Sequence, residues 1–362
     1  MKFNVRTKDV ASAISRLSSI PQQKANIMAY SYIRLLNKDN KLKVQALNGA
    51  IFGEVSIDSE GEDADIVISG RIVKLISAIQ SDEMEIDVDE ASNIVNLHSG
   101  TGSYTFTNDI GAREVFEDYI KKLPEIDAVA TFTTAAGPLI YAMRAATIVN
   151  ADVVDNTVLC NVRFCVNADK LIVDSTDKFV ILRGNIQGSM LGGECTFLLS
   201  SIAARAIIKA VTNNSDIELN VIGGGSMVRV VSDNVMLYAV TTQERYVNID
   251  RVIDRLTTAN HHKVKIALSD IKSAAMRFGN ERFFDIQVKG SQGEAIITRD
   301  TATTEIAAES DADIDICINI SVLEKLTKIA PKLDALYLKD SASAIYAKYG
   351  NLSLYASPVQ KQ

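Results

Sequence analysis

Metal or acid–base chemistry in this chain would have to draw on three histidines, His98, His261 and His262, and four cysteines, Cys160, Cys165, Cys195 and Cys317. A metal or hydrolytic site needs several converging ligands, or a nucleophile with its base. His261 and His262 sit in a stretch that reads as a linker, with nothing nearby to complete such a set. The cysteines lie inside β-like runs without CxxC spacing, so they read as small buried apolar residues of a reducing compartment. Gly223-Gly224-Gly225 falls between the alternating runs IELNV and MVRVV, the place of a hairpin turn; a phosphate loop would lead into a helix. The acidic clusters Glu60 to Asp65 and Asp311 to Asp315 lack EF-hand spacing and read as solvated loops. The motifs GKS, GKT, HExxH and GxSxG do not occur. The expectation is a binding protein with no metal, cofactor or catalytic site.

The recurring chemistry is cationic. If Val10, Ala13, Ile14 and Leu17 form the buried stripe of a helix, Lys8 stands about opposite, and Arg144 stands away from Leu139 and Met143. Lys74 and Arg205 share one repeat position, and Lys209 and Lys328 share another. Arg71, Lys272, Arg277 and Lys325 lie near the same flanks. Any one of these reads as a solvated side chain. Their recurrence is less ordinary in a chain of net charge −7, which argues against a protein positive all over. If the helices face one side, that side is basic and the rest acidic.

The elements that must carry these residues repeat. Val67, Ile72, Val73 and Ile76 align with Leu198, Ala203, Ala204 and Ile207, and again with Cys317, Val322, Leu323 and Leu326. Ser69, Ser200 and Asn319 then stand at the helix starts, each offering an oxygen to open backbone N–H groups. Upstream, Val5, Val10, Ala13 and Ile14 align with Thr134, Leu139, Ala142 and Met143, then with Ile266, Ile271, Ala274 and Ala275. Each third therefore holds two strand–helix–strands halves. With 362 residues, 47% of them hydrophobic, the chain is long for one core, and three domains are expected: 1–123, 124–254 and 255–362. Each would be α+β, with antiparallel sheets and two amphipathic helices on one face. No apolar run reaches the roughly 18 residues of a membrane span, and MKFNVRTKDV lacks a signal-peptide core, so a cytoplasmic protein is expected.

Three tandem copies of a doubled unit resemble the bacterial-type β sliding clamp, the processivity subunit of the replicative DNA polymerase. Asn280, Glu281, Arg282 and Phe283 match its Asn-Glu-Lys/Arg-Phe stretch, ICINISVLEKLTKI is similar to its Phe-Asn-Val helix start, and YVNIDRV keeps its Arg251 and Val252. The resemblance implies a non-catalytic head-to-tail homodimer, a ring of six domains and twelve helices around double-stranded DNA. The cations Lys8, Arg71, Lys74, Arg144, Arg205, Lys209, Lys272, Lys325 and Lys328 would line its hole, with Lys24 where the family often has an Arg. It also implies a groove for short peptides of the polymerase, the clamp loader and repair proteins. By position the groove uses Leu159, Thr176, Lys178, Phe179, Ile181, Val247, Arg251, Val252, Pro358 and Val359. Tyr104 and Phe106, facing Arg277 and Phe278, would form the subunit interface, though both aromatics could equally be core residues of an edge strand. Thr176-Asp177-Lys178-Phe179-Val180-Ile181 stands where the family has Thr-Asp-Gly-His-Arg-Leu, and the Met-Pro-Met-Arg-Leu ending is replaced by Ser357-Pro358-Val359 and three polar residues. The alternative is a clamp-fold interaction scaffold that does not encircle DNA.

Overall fold

The computed structural model describes residues 1–21, 26–76, 78–79, 81–100, 102–150, 158–256, 261–277, 282–299 and 302–359. One order of elements recurs three times: strand, helix, three strands, strand, helix, three strands, with a short extra strand in the first two passes. The first pass contains α1 (Thr7–Leu17) and α2 (Ile72–Ile76) and is followed by α3 (Ile110–Lys121). The second contains α4 (Ala136–Val149) and α5 (Ser201–Ala210) and is followed by α6 (Ile249–Leu256). The third contains α7 (Leu268–Met276) and α8 (Ile320–Ile329). The expected boundaries at 123 and 254 fall just past α3 and inside α6.

The helices form where the apolar period lies. α1 buries Val10, Ala13, Ile14 and Leu17, and α8 buries Val322, Leu323, Leu326 and Ile329. Fully burying one such Leu or Ile side chain contributes about 1.5–3 kcal/mol, against about 1 kcal/mol for a cap, so packing makes these helices and caps set where they begin. Ser200 accepts from the Ala203 amide at 3.2 Å and Asn319 from the Ser321 amide at 2.9 Å, as expected. Ser69 accepts from Arg71 N at a long 3.4 Å, ahead of an α2 five residues long. The side chain of Val73 lies outside the described set.

The chain divides into two compact units, the first comprising Met1–Ile140, Val166–Asp169 and Gly188–Gln243, the second Tyr141–Cys165, Lys170–Gln187 and Glu244–Gln362. In the first, a five-stranded sheet runs Glu60–Gly61, Lys2–Arg6, Glu83–Asp89, Ile94–Ser99, Gly102–Thr107. A nine-stranded sheet runs Ser189–Gly192, Ala128–Ala135, Asp216–Ile222, Met227–Ser232, Val235–Val240, Ile51–Asp58, Lys41–Leu47, Tyr32–Lys38, Ala64–Ser69. In the second unit one sheet includes, in order, Lys170–Thr176, Val180–Gln187, Leu352–Ala356, Ile345–Tyr349, Ala335–Leu338 and His262–Lys265. The other runs Ala302–Ala307, Glu294–Arg299, Phe283–Lys289, Ile314–Asn319.

Two joins follow one rule. In the first unit Val235–Val240 pairs antiparallel with Ile51–Asp58, setting Tyr238 opposite Phe52. In the second, Val180–Gln187 pairs antiparallel with Leu352–Ala356, setting Ile181 opposite Tyr355. Each time, the third strand after the first helix of a pass meets the last strand of the next pass. Among the described strands the rule leaves two without that neighbour, Gly102–Thr107 and Ala302–Ala307, and both are sheet edges.

Some expectations change. His262 belongs to a strand, and its Nδ1 is 2.9 Å from Asp311 Oδ1, so it is not a linker residue. The acidic clusters are not simply solvated: Glu60–Gly61 is an edge strand, Asp65 takes two hydrogen bonds from Arg34 at 2.8 and 2.6 Å, and Asp313 accepts from the Gly290 amide at 2.9 Å. Cys165 and Cys317 are buried, but Cys160 and Cys195 are half-buried because each stands at the end of its run; all four are thiols. Gly223–Gly225 is a turn between antiparallel strands, with φ of +58°, +64° and +94°, values that favour glycine. Among the described residues no cluster of His, Cys, Asp and Glu could hold a metal, and no helix is long and apolar enough to cross a membrane.

Candidate functional site

Around the Ile181–Tyr355 pair the second unit builds a shallow apolar site. α6 lays Ile249 and Ile253 over Tyr355, with Ile181, Tyr246, Leu256 and Tyr346 around them. Tyr337, Tyr346 and Tyr355 form a ladder with ring centroids 5.4 and 5.1 Å apart. Beyond this floor, apolar side chains stand in solvent: Phe179 is 62% exposed, Val247 42% and Val252 39%. Phe179 sits on a tight turn. Asp177 Oδ1 accepts from the amides of Phe179 at 2.8 Å and Val180 at 2.7 Å, and Thr176 Oγ1 accepts from Lys178 N at 3.1 Å. Lys178, at the position where the resemblance gives a glycine, has φ +84°, in the left-handed region. The C-terminal segment is stitched beside the turn: the Ser357 amide donates to the Phe179 carbonyl and the Val359 amide to the Cys317 carbonyl, both at 2.8 Å. Past Val359 lies a cavity of about 610 Å³ with Asp285, Gln287, Thr298, Asp315 and Ser341 in its wall.

A charged network fixes α6. Asp174 is fully buried and accepts from Arg163 at 3.0 Å and from Arg183 Nε and Nη2 at 2.9 Å. The same two guanidiniums reach Asp250 of α6, at 3.0 and 2.6 Å. Burial pushes the Asp174 carboxyl up, and the hydrogen bond from Arg183 opposes it. Burial would also lower Arg183, but the two carboxylates outweigh it and hold that guanidinium charged far above its ordinary range. At Asp250 burial works toward a higher value, and the hydrogen bonds from Arg183 and Arg163 overcome it and hold the carboxyl below the usual range. With the Tyr246 hydroxyl donating to the Asn161 carbonyl at 3.3 Å, the network fixes the segment that carries Val247, Arg251 and Val252.

No family model and no curated protein matches the sequence. Solved structures match it end to end. The DNA polymerase III β subunit of Thermotoga maritima superposes with a TM-score of 0.83 at 14% identity, over 100% of both chains. A sliding clamp from Pseudomonas aeruginosa, solved bound to griselimycin, gives 0.84 at 12% over 100% of both. The Helicobacter pylori β clamp, solved bound to a DNA ligase peptide, gives 0.82 at 14%, over 99% of this chain and 100% of that one. This chain has the sliding-clamp fold.

Within that clamp fold the expected residues fall as follows. Leu159 and Thr176 are only 2% and 4% exposed, so they are floor rather than rim. Ile181, Pro358 and Val359 are half-buried, and Lys178 and Arg251 are exposed. The fold therefore brings the ten groove residues into one unit. Of the cationic set, Lys8, Arg71, Lys74, Arg144, Arg205, Lys209 and Lys328 are exposed and Lys272 is half-buried. α1 packs on α2 and on α5, which sets Lys8, Lys74, Arg205 and Lys209 on neighbouring helices; Lys209 Nζ donates to Ser18 Oγ at 2.5 Å. Lys325 is half-buried and ion-paired with Asp177. Tyr104 and Phe106 are half-buried on the edge strand Gly102–Thr107, and Arg277 is exposed. Lys24 and Phe278, with the matched Asn280 and Glu281, lie outside the described residues.

The Arg163–Asp174–Arg183–Asp250 network went unforeseen, although one signal for it existed. Arg163 is the third residue of its strand, NVRFCVN, as Arg34 is in YIRLLNK, the equivalent strand of the first pass. Arg34 binds Asp65 and lies 3.8 Å from Glu117 of α3. Each linker helix thus answers to an arginine at the same repeat position. The floors are equivalent too, but α3 closes the first one itself: Phe116 is fully buried and Tyr119 packs 6.1 Å from Phe52. The shorter α6 leaves exposed apolar side chains beside the second.

Proposed function

We propose that the chain is a DNA sliding clamp: a non-catalytic ring that encircles duplex DNA and tethers a replicative polymerase and other DNA-processing proteins. The observation that carries this reading is the pair of open edges. Gly102–Thr107 and Ala302–Ala307 are the two strands for which the joining rule supplies no neighbour, so two copies placed head to tail would satisfy it twice and close. Such a ring holds three domains per chain, 1–123, 124–254 and 255–362. Its helix cations meet phosphates without sequence preference, and linkage rather than affinity keeps it on DNA. The exposed Phe179, Val247 and Val252 suit a groove for short peptides of polymerase, clamp loader and repair proteins, with Arg251 at its rim. The cytoplasm, where replication takes place in bacteria, is its compartment.

Light scattering at micromolar concentration should give twice the 39.4 kDa of one chain. Loaded onto nicked circular DNA, the protein should stay through a salt wash and leave when the circle is cut. A stable monomer that DNA does not retain overturns the proposal. A closed dimer that circular DNA never retains points instead to the interaction scaffold.

A further inference from the structure

The helical pattern puts Lys325 among the cations meant for phosphate, yet its ammonium is held elsewhere. Its side chain is 26% exposed, and Nζ is bonded to Oδ2 of Asp177, itself 12% exposed. We propose that Lys325 is a positioning residue for the peptide groove: acting through Asp177, it holds the Thr176–Val180 turn in the conformation that presents Phe179. The ligand side of this proposal rests on the groove reading above.

Three features of the turn call for such a hold. Lys178 keeps a left-handed backbone, φ +84°, without glycine, a conformation that persists only where its surroundings impose it. The Phe179 ring is 62% exposed, so side-chain packing does little to fix it. What orders the turn is the Asp177 carboxylate, whose Oδ1 takes the amides of Phe179 and Val180 at 2.8 and 2.7 Å. A carboxylate that serves two amides with one oxygen keeps that orientation best when its other oxygen is also tied. Lys325 ties it from α8, and α8 is seated by four buried apolar residues, Val322, Leu323, Leu326 and Ile329. The pair is largely withdrawn from solvent, so it is weakly screened by salt and its charges are mutually satisfied. Lys325 then has little left to offer a phosphate, unlike the exposed Lys328 one turn away.

The test uses the full chain with Lys325→Met, Lys325→Arg, Asp177→Asn and the Lys325→Met/Asp177→Asn double variant. Asp177→Asn keeps an acceptor oxygen for the two amides and removes the ion pair. In hydrogen exchange, the Phe179 and Val180 amides should exchange about tenfold faster in Lys325→Met and in Asp177→Asn. They should stay near wild type in Lys325→Arg, with the α8 amides unchanged throughout. Binding of the fluorescein-labelled DNA ligase peptide should weaken about tenfold in the same two variants, and the double variant should be no weaker than either. On DNA, Lys325→Met should leave the salt dependence of retention unchanged, while Lys328→Met lowers its slope by about 1. Unchanged exchange at Phe179 and Val180 in Lys325→Met overturns the proposal, as does a loss of salt slope equal to that of Lys328→Met. If the wild-type chain does not bind the peptide, the groove reading fails and the exchange data alone decide the role of Lys325.

Discussion

At the residue scale, the turn at Lys178 is where this chain departs most informatively from the clamps it resembles. A non-glycine residue in the left-handed region costs about 1–2 kcal/mol, while glycine loses about 0.5–1 kcal/mol more chain entropy on folding. With φ +84° at Lys178, Lys178→Gly should therefore stabilise the chain by about 0.5–1 kcal/mol, read as a higher urea midpoint at constant slope. Beside it, Phe179→Ala should weaken peptide binding at least tenfold and change stability by less than about 0.5 kcal/mol, because the ring is 62% exposed. Titration of a labelled peptide with a parallel urea melt reads both. The resemblance names Phe179, Val252, Leu159 and Thr176 alike and could not separate the first two, which stand in solvent, from the last two, which are buried. All of them flank the same turns and strands, and which side chains close into the floor depends on α6, which packs on that floor through strands distant in sequence.

At the scale of elements, the recurrent apolar stripes made the repeat helices readable, since each stripe is local: α8 and its Asn319 cap are written within eleven residues. Asp174 was not readable, because its partners Arg163 and Arg183 come from two other strands, and the Asp250 that shares them comes from α6. Removing that carboxylate leaves Arg163 and Arg183 facing each other, 16% and 15% exposed. Asp174→Ala should cost about 3–5 kcal/mol, the usual penalty for breaking a buried pair by one partner. Chemical denaturation compared with Asp174→Asn, which keeps the hydrogen-bond acceptor, checks it. Asp250 supplies the pH dependence. Its folded carboxyl is held below the unfolded value of about 3.9, so its contribution is complete above that value and is lost as the pH falls through the lower, folded one. The stability difference between wild type and Asp250→Asn should be constant near neutrality and shrink below about pH 4. Because Asp250 is half-exposed, salt should reduce the difference.

At the scale of the whole molecule, the threefold repeat was legible because register-keeping apolar positions recur, but the rule that joins one pass to the next was not. It is a property of strand pairing, and only the observed partners, Tyr238 with Phe52 and Tyr355 with Ile181, reveal it. That rule sharpens the expectation for assembly. Where it is satisfied, the strands are largely buried: Ile51–Asp58 has five buried residues of eight and Leu352–Ala356 four of five. Where it is not, neither Gly102–Thr107 nor Ala302–Ala307 has a fully buried residue, although both carry apolar side chains, Tyr104, Phe106 and Ile306. An exposed edge with apolar side chains is a template for another strand. If the second copy supplies that strand, a charge at Ile306 should oppose closure while leaving the fold intact, because Ile306 is only half-buried in the chain itself. Ile306→Lys should raise the dimer dissociation constant at least tenfold in sedimentation or light scattering, with an unchanged circular dichroism spectrum. It should also abolish retention on circular DNA, since a ring that opens loses its linkage before it loses any phosphate contact.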